Sequence, residues 1–241
     1  GVGAAALATA ISQAASALLC FVRLMKTKDV YQVQVKNIRF HPGMLRQIIG
    51  LGLPSGMQNS IISFANIIVQ TNINKFGVMA VAACGVYAKI EGFAFLPITC
   101  FAMSLTTFIG QNLGARQYDR AKKGAYFGIF CSVTLAELVG VIVYFTIPYL
   151  AAAFDNTAEV IAIADRQAHV EALFYCFLAF SHCIAGIMRG AGKSTVPMFV
   201  MLASWCIIRI TYITVTVHFI PKIQVIFWAY PLTWSISSVI F

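Results

Sequence analysis

Charge is what this sequence has least of. Of its 241 residues, 60% are hydrophobic and only 10% are Asp, Glu, Lys or Arg, where a soluble domain carries about 25% charged residues. A globule of this length in water must still cover most of its surface with polar groups. The shortfall therefore excludes a water-soluble fold and makes the lipid bilayer the main solvent. Acidic residues are scarcer still: 8 against 17 basic ones, a formal net charge of +9. The basic residues fall in short clusters between apolar runs rather than along one stripe, so no nucleic-acid partner is expected.

Motifs for other chemistries are missing too. The seven cysteines (Cys20, Cys84, Cys100, Cys131, Cys176, Cys183, Cys206) lie in or beside apolar runs and form no Cys-x-x-Cys, so they read as small buried side chains rather than a disulfide framework or zinc site. No paired histidine motif or nucleophile elbow occurs. In the stretch from Gly186 to Thr195, Lys193 is one position too far from Gly186 for a phosphate-binding loop; a tight turn followed by Pro197 in the next helix is the better reading. No cofactor is expected. The opening run, from Gly1 to Leu24, lacks a basic leader, and the chain both starts and stops inside apolar sequence, which reads as a piece of a longer protein.

What is present is a series of long apolar runs, at about 1–25, 46–74, 79–109, 123–149, 167–189, 194–219 and 223–241. Each is near the ~20 residues a helix needs to cross a bilayer. They are continuous rather than alternating at period two, so the expected fold class is all-α, a polytopic transmembrane helix bundle. Arg23, Lys26, Lys28, Lys36, Arg39 and Arg46 follow the first run, Arg116, Arg120, Lys122 and Lys123 the third, and Arg189 and Lys193 the fifth. The intervening connections hold Lys75, then Asp155, Glu159, Asp165 and Arg166, then Lys222. This alternation places the first set in the cytoplasm.

Ionisable groups inside the runs carry the functional information, since each is costly in hydrocarbon. Glu91 in the third run is either a coupling or cavity group, reversibly neutralised by H⁺ or Na⁺, or half of a structural interhelical pair. Glu137 in the fourth should face the bundle interior. Arg209 in the sixth has Glu91, Glu137 or a helix C-terminus as candidate partners. The second run carries amides instead: Gln58, Asn59, Asn66 and Gln70, with Ser55 and Ser63 close on the helical wheel. Such a stripe needs covering by another helix or a water-filled cavity. Glu171 and His169 are expected near the outer end of the fifth run, within reach of water, and His182 deeper, as a packing residue. Pro54 and Pro97 mark kinks or close packing.

Several of these segments together resemble the multidrug and toxic compound extrusion (MATE) family: Leu51-Gly52-Leu53-Pro54-Ser55 with Gln58-Asn59; Lys89-Ile90-Glu91 with Phe95-Leu96-Pro97; Thr107 to Ala115; Arg189-Gly190-Ala191-Gly192-Lys193; and Trp205 with Arg209. They stand in the family's order over nearly the whole chain. The resemblance implies a MATE-like fold in the bacterial inner membrane, with residues 1–25 as the last helix of an N-terminal lobe, 26–45 as a cytoplasmic inter-lobe linker and 46–241 as a C-terminal six-helix lobe. It further implies a missing N-terminal lobe as partner, export of organic cations or other amphiphilic drugs, and exchange for Na⁺ or H⁺. An acidic residue that some members carry on the first helix of this lobe would fall near Ile62, where this chain has none; the resemblance then implies either Glu91 as its equivalent or a coupling site in the missing lobe. An exporter of lipid-linked oligosaccharide or polymer is the alternative. A membrane-impermeant thiol reagent, applied to single cysteines introduced at Arg120 and Asn156, is expected to label opposite faces of the membrane; labelling from one side would overturn the helix count.

Overall fold

The computed structural model describes residues 2–29 and 31–241, and of these the side chains of all but Val2 and Ala5. Gly1, at the head of the expected first span, and Val30, within the expected linker, lie outside the described residues. Among the described residues the chain is helical, with no strands. It forms α1 (Val2–Lys26), α2 (Pro42–Asn74), α3 (Val78–Gly114), α4 (Tyr118–Ala152), α5 (Ala158–Glu171), α6 (Tyr175–Gly190), α7 (Thr195–Met201), α8 (Arg209–Phe219) and α9 (Ile223–Ile240). Two compact units result, Gly1–Gln47 and Ile48–Phe241. In the first, α1 leads to an extended segment with one 3₁₀ turn at Val35–Asn37. All that follows concerns the second.

Six stretches are long and apolar enough to cross a membrane: Ala6–Lys26, Val78–Gly114, Tyr118–Ala152, Ala158–Gly190, Thr195–Phe219 and Ile223–Ile240. The second helix, counted as a span from its length, is long enough but falls short in hydropathy because of its amides. It runs unbroken through Pro54.

Two of the rods are not regular helices. Between α5 and α6 a 3₁₀ turn at Ala172–Phe174 tightens the backbone, and between α7 and α8 a π-helical stretch at Leu202–Ile208 widens it. Neither was visible as a Pro or Gly in the sequence. The fifth run also begins nine residues earlier than its apolar core, at Ala158, so Glu159, Asp165 and Arg166 belong to helix rather than to a connection. Just before it, the Thr157 hydroxyl and then its backbone N–H, which donates to Asp155 Oδ1 at 2.8 Å, hold the Asp155 carboxyl below the usual carboxylate range.

The core is built on close approach of backbones. Thr106 Oγ1 donates to Ala102 O on its own helix at 2.8 Å and lies 2.9 Å from Gly186 O on α6. A Cβ on Gly186 would come 2.5 Å from Ala102 O, and one on Gly190 2.5 Å from Thr106 O. Likewise Ala164, Ala168 and Ala172 are fully buried, and Gly140 of α4 has room only for hydrogen where it meets the Ala172 carbonyl. Small residues serve this purpose in membranes, where packing rather than apolar burial drives helix association. At the turns, Gly192 is left-handed (φ +80°), whereas after α3 the left-handed residue is Arg116 (φ +57°) rather than Gly114. Gly186→Val is expected to destabilise the chain by about 1–3 kcal/mol, lowering its thermal midpoint in detergent, whereas Gly85→Ala, which meets nothing within 4 Å, leaves the midpoint unchanged.

Candidate functional site

The irregular turns bring together groups that the sequence keeps apart. Glu171, the last residue of α5, is fully buried. This corrects the expectation that water reaches it: with the helix starting at Ala158, Glu171 stands roughly 20 Å along its axis. Its Oε1 accepts a hydrogen bond from Gln167 Nε2 at 3.0 Å, while its Oε2 is buried without a partner. Gln167 Oε1 and Glu91 Oε1 are also buried and unpartnered. Glu91 and Glu171 feel each other's charge, and both feel Arg209. Three acceptor oxygens, one on Glu91 of α3 and two on the Gln167–Glu171 pair of α5, are thus buried without a donor.

Arg209 is 3% exposed and opens α8 directly after the π-helical stretch. Its Nε and one terminal nitrogen donate to Thr233 Oγ1 at 3.2 and 2.7 Å. Its guanidinium carbon lies 5.3 Å from the Trp205 ring centroid and 4.5 Å from that of Tyr230. Arg209 therefore takes up neither of the direct carboxylate pairs weighed from the sequence: among the described residues it forms no ion pair, and it is held by a hydroxyl and two ring faces. That is a workable arrangement for a buried guanidinium, which is planar and weakly hydrated. The Tyr87 and Tyr175 hydroxyls, 2.9 Å apart and buried, complete the surroundings and interact electrostatically with both carboxylates.

Glu137 stays apart from this cluster. Its Oε2 is buried and unpartnered, and its neighbour is Cys176 on α6. Lys89 extends over the Phe154 ring, 5.4 Å from the centroid, and leaves Glu91 alone.

The amide stripe of α2 divides. Gln58 is buried, with Nε2 donating to Met201 Sδ at 2.6 Å, whereas Asn59 and Asn66 are exposed. Gln58, Asn59 and Ser55 line one side of a cleft of about 280 Å³ whose other walls include Thr99, Met103, His182, Arg189 and Trp205; Asn66 is not part of it. His182 behaves as a packing residue: its Nδ1–H donates to Leu178 O at 3.1 Å, and its ring meets Phe95 and Trp205 at 5.8 and 5.4 Å between centroids. Trp205, flanked by the cleft on one side and Arg209 on the other, also donates from Nε1 to Ser237 Oγ at 3.3 Å. Among the described residues no group of three or more His, Cys, Asp or Glu is arranged to hold a metal ion.

The MatE family profile matches residues 54–215, which include every cluster residue except Tyr230 and Thr233. This chain belongs to the MatE family. It is 24% identical over 243 residues to the probable multidrug resistance protein YoeA of Bacillus subtilis (strain 168), covering 98% of this chain and 52% of that protein. It is 24% identical over 190 residues to the multidrug export protein MepA of Staphylococcus aureus (strain MSSA476), covering 78% and 42%. The fold is similar to that of an outward-facing multidrug resistance MATE transporter of the MOP superfamily (TM-score 0.88, 17% identity, 98% of this chain and 53% of that one). A MOP superfamily transporter from Pyrococcus furiosus is also similar (TM-score 0.77, 18% identity, 81% and 43%). The chain spans about half the length of the curated relatives it matches.

As a MatE member the chain is a multi-pass membrane protein of a transporter family, and its buried charges belong to that setting. Removing the guanidinium would leave two buried carboxylates without their one cation. Arg209→Met is expected to destabilise the lobe by about 3 kcal/mol, and adding Glu171→Gln to recover part of that loss. Thermal midpoints of the two variants in detergent check this; equal midpoints would show that the guanidinium does not compensate Glu171.

Proposed function

We propose that this chain supplies the C-terminal lobe, and the last helix of the N-terminal lobe, of a cation-coupled antiporter that exports amphiphilic small molecules, organic cations among them, across the bacterial inner membrane by alternating access. The reading rests on one observation: Glu91 and Glu171 share a buried site with a single arginine, and three of the site's acceptor oxygens have no donor.

The charge balance gives this its mechanism. Two ionised carboxylates against one guanidinium leave one negative charge uncompensated in a low-dielectric interior. A single H⁺ or Na⁺ taken up at Glu91 or Glu171 would neutralise it, and each of these carboxylates has one buried oxygen without a donor. An electroneutral lobe can change conformation without exposing charge to hydrocarbon, whereas the charged lobe is held back until it exchanges its ion. Arg209, tied to Thr233 and the two rings, stays put throughout and acts as a fixed counter-charge. The second lobe needed to enclose a central cavity corresponds to the half of the relatives' length that this chain does not span.

The resemblance to drug exporters favours this reading over an exporter of lipid-linked polymers. Such a substrate needs a large cationic cavity for its phosphates and sugars; Arg209 and Lys89 are engaged with aromatic rings, and the cleft that Arg189 lines is only about 280 Å³.

In the complete transporter reconstituted in vesicles, Glu91→Gln and Glu171→Gln are each expected to lower ion-driven efflux of a fluorescent organic cation by about tenfold or more, with membrane insertion intact. Rates unchanged across a Na⁺ and pH series would remove the cluster from the mechanism.

A further inference from the structure

The cleft beside Trp205 contains no acid. Its charged or chargeable groups are Arg189 and His182, and the rest of its lining is amide, hydroxyl, thioether and aromatic. Arg189 is half-buried in the last turn of α6, and among the described residues it forms no ion pair. Arginine withdrawn from water in a helix bundle ordinarily faces a carboxylate or another polar partner, as Arg209 faces Thr233 less than a helix length away in the same lobe. Arg189 faces an open cleft instead. Lys193, beyond the turn, reinforces the positive potential at this end of the lobe, the end that the loop charges place in the cytoplasm.

The cleft is also graded. Arg189 stands at the end of its helix, while Met103 and Trp205 offer a soft, apolar and aromatic wall farther in. Asn59, which also lines the cleft, is exposed, and among the described residues its amide has no hydrogen-bond partner, so it is available to a second polar atom of the same ligand. At about 280 Å³ the space lies at the lower edge of the ~300–1,000 Å³ usual for small-molecule sites. It suits one fused aromatic ring system and is too small for the two acyl chains of a phospholipid.

We infer that this cleft is a binding site for a small anionic amphiphile, an aromatic carboxylate or sulfonate, whose anionic group is held by the Arg189 guanidinium and whose rings lie against Trp205 and Met103. This deepens the reading of the chain as half of an amphiphile exporter. It assigns to this lobe an entry site for anionic or zwitterionic substrates, distinct in charge from the Glu91–Glu171 cluster. Arginine rather than lysine suits the role, because its planar fork meets both oxygens of a carboxylate.

The test is titration of the complete transporter in phosphatidylcholine nanodiscs with 2-naphthoate, 2-naphthamide and 2-naphthylmethylammonium, empty nanodiscs serving as the partition blank. The carboxylate is expected to bind about tenfold more tightly than the neutral amide, and the cation more weakly than either. Arg189→Gln should abolish the preference for the carboxylate, and Arg189→Lys should keep part of it, which separates lost recognition from lost folding. Lys222→Gln, at an exposed lysine that does not line the cleft, should leave naphthoate binding unchanged; ion-driven efflux is read separately on the Glu91 and Glu171 variants, so this site can fail while the coupling cluster stands, and the reverse. Equal binding of carboxylate and amide, equal or tighter binding of the cation, or a preference that survives Arg189→Gln would overturn the proposal. Displacement of naphthoate by phosphatidylglycerol in the nanodisc would assign Arg189 to a lipid headgroup and overturn it as well.

Discussion

Everything distinctive about this lobe follows from the cost of charge in hydrocarbon. Glu171 is buried on α5 and Glu91 is half-buried on α3 with its Oε1 out of reach of water, and the molecule answers with one arginine that is itself buried and held by Thr233, Trp205 and Tyr230. Because Arg209 is shared between two carboxylates rather than clamped to one, the cluster is left with unpartnered oxygens. A tight bidentate pair would have closed the site. A guanidinium held by a hydroxyl and two ring faces leaves those oxygens without a donor.

That arrangement depends on irregular backbone. The 3₁₀ turn after Glu171 and the π-helical stretch before Arg209 lie in two different rods, and each directly adjoins a charged residue of the cluster. Both changes of helical pitch alter which way the following side chains face, and π segments recur at functional sites for this reason. The close contacts at Gly140, Gly186 and Gly190 then bring α3, α4 and α6 near enough for these short-range interactions to form. Small residues here act on function indirectly, by setting the distance between helices.

Two polar features with different chemistry result. The cluster holds the acids that act on Arg209 among the described residues, Glu91 and Glu171; the cleft is open, and its chargeable groups, Arg189 and His182, are basic. Trp205 is common to both, stacked on Arg209 and lining the cleft.

The sequence by itself determined the solvent, the helical class and the positions of the turns, because composition, run length and basic clusters respond to the bilayer residue by residue. It also marked Glu91 and Arg209 as costly, and Gln58 and Asn59 as a polar stripe. Only the tertiary structure decided the partners. Glu171 looked superficial because its own apolar run begins only four residues upstream, at Gln167, yet helix extends back to Ala158 and carries it inside. Arg209 looked like half of an ion pair, yet α9 brings Thr233 and Tyr230 to it from residues that showed no charge. Partner choice depends on which faces of separate helices meet, and that is settled by packing of small residues and local changes of pitch, which hydropathy does not record.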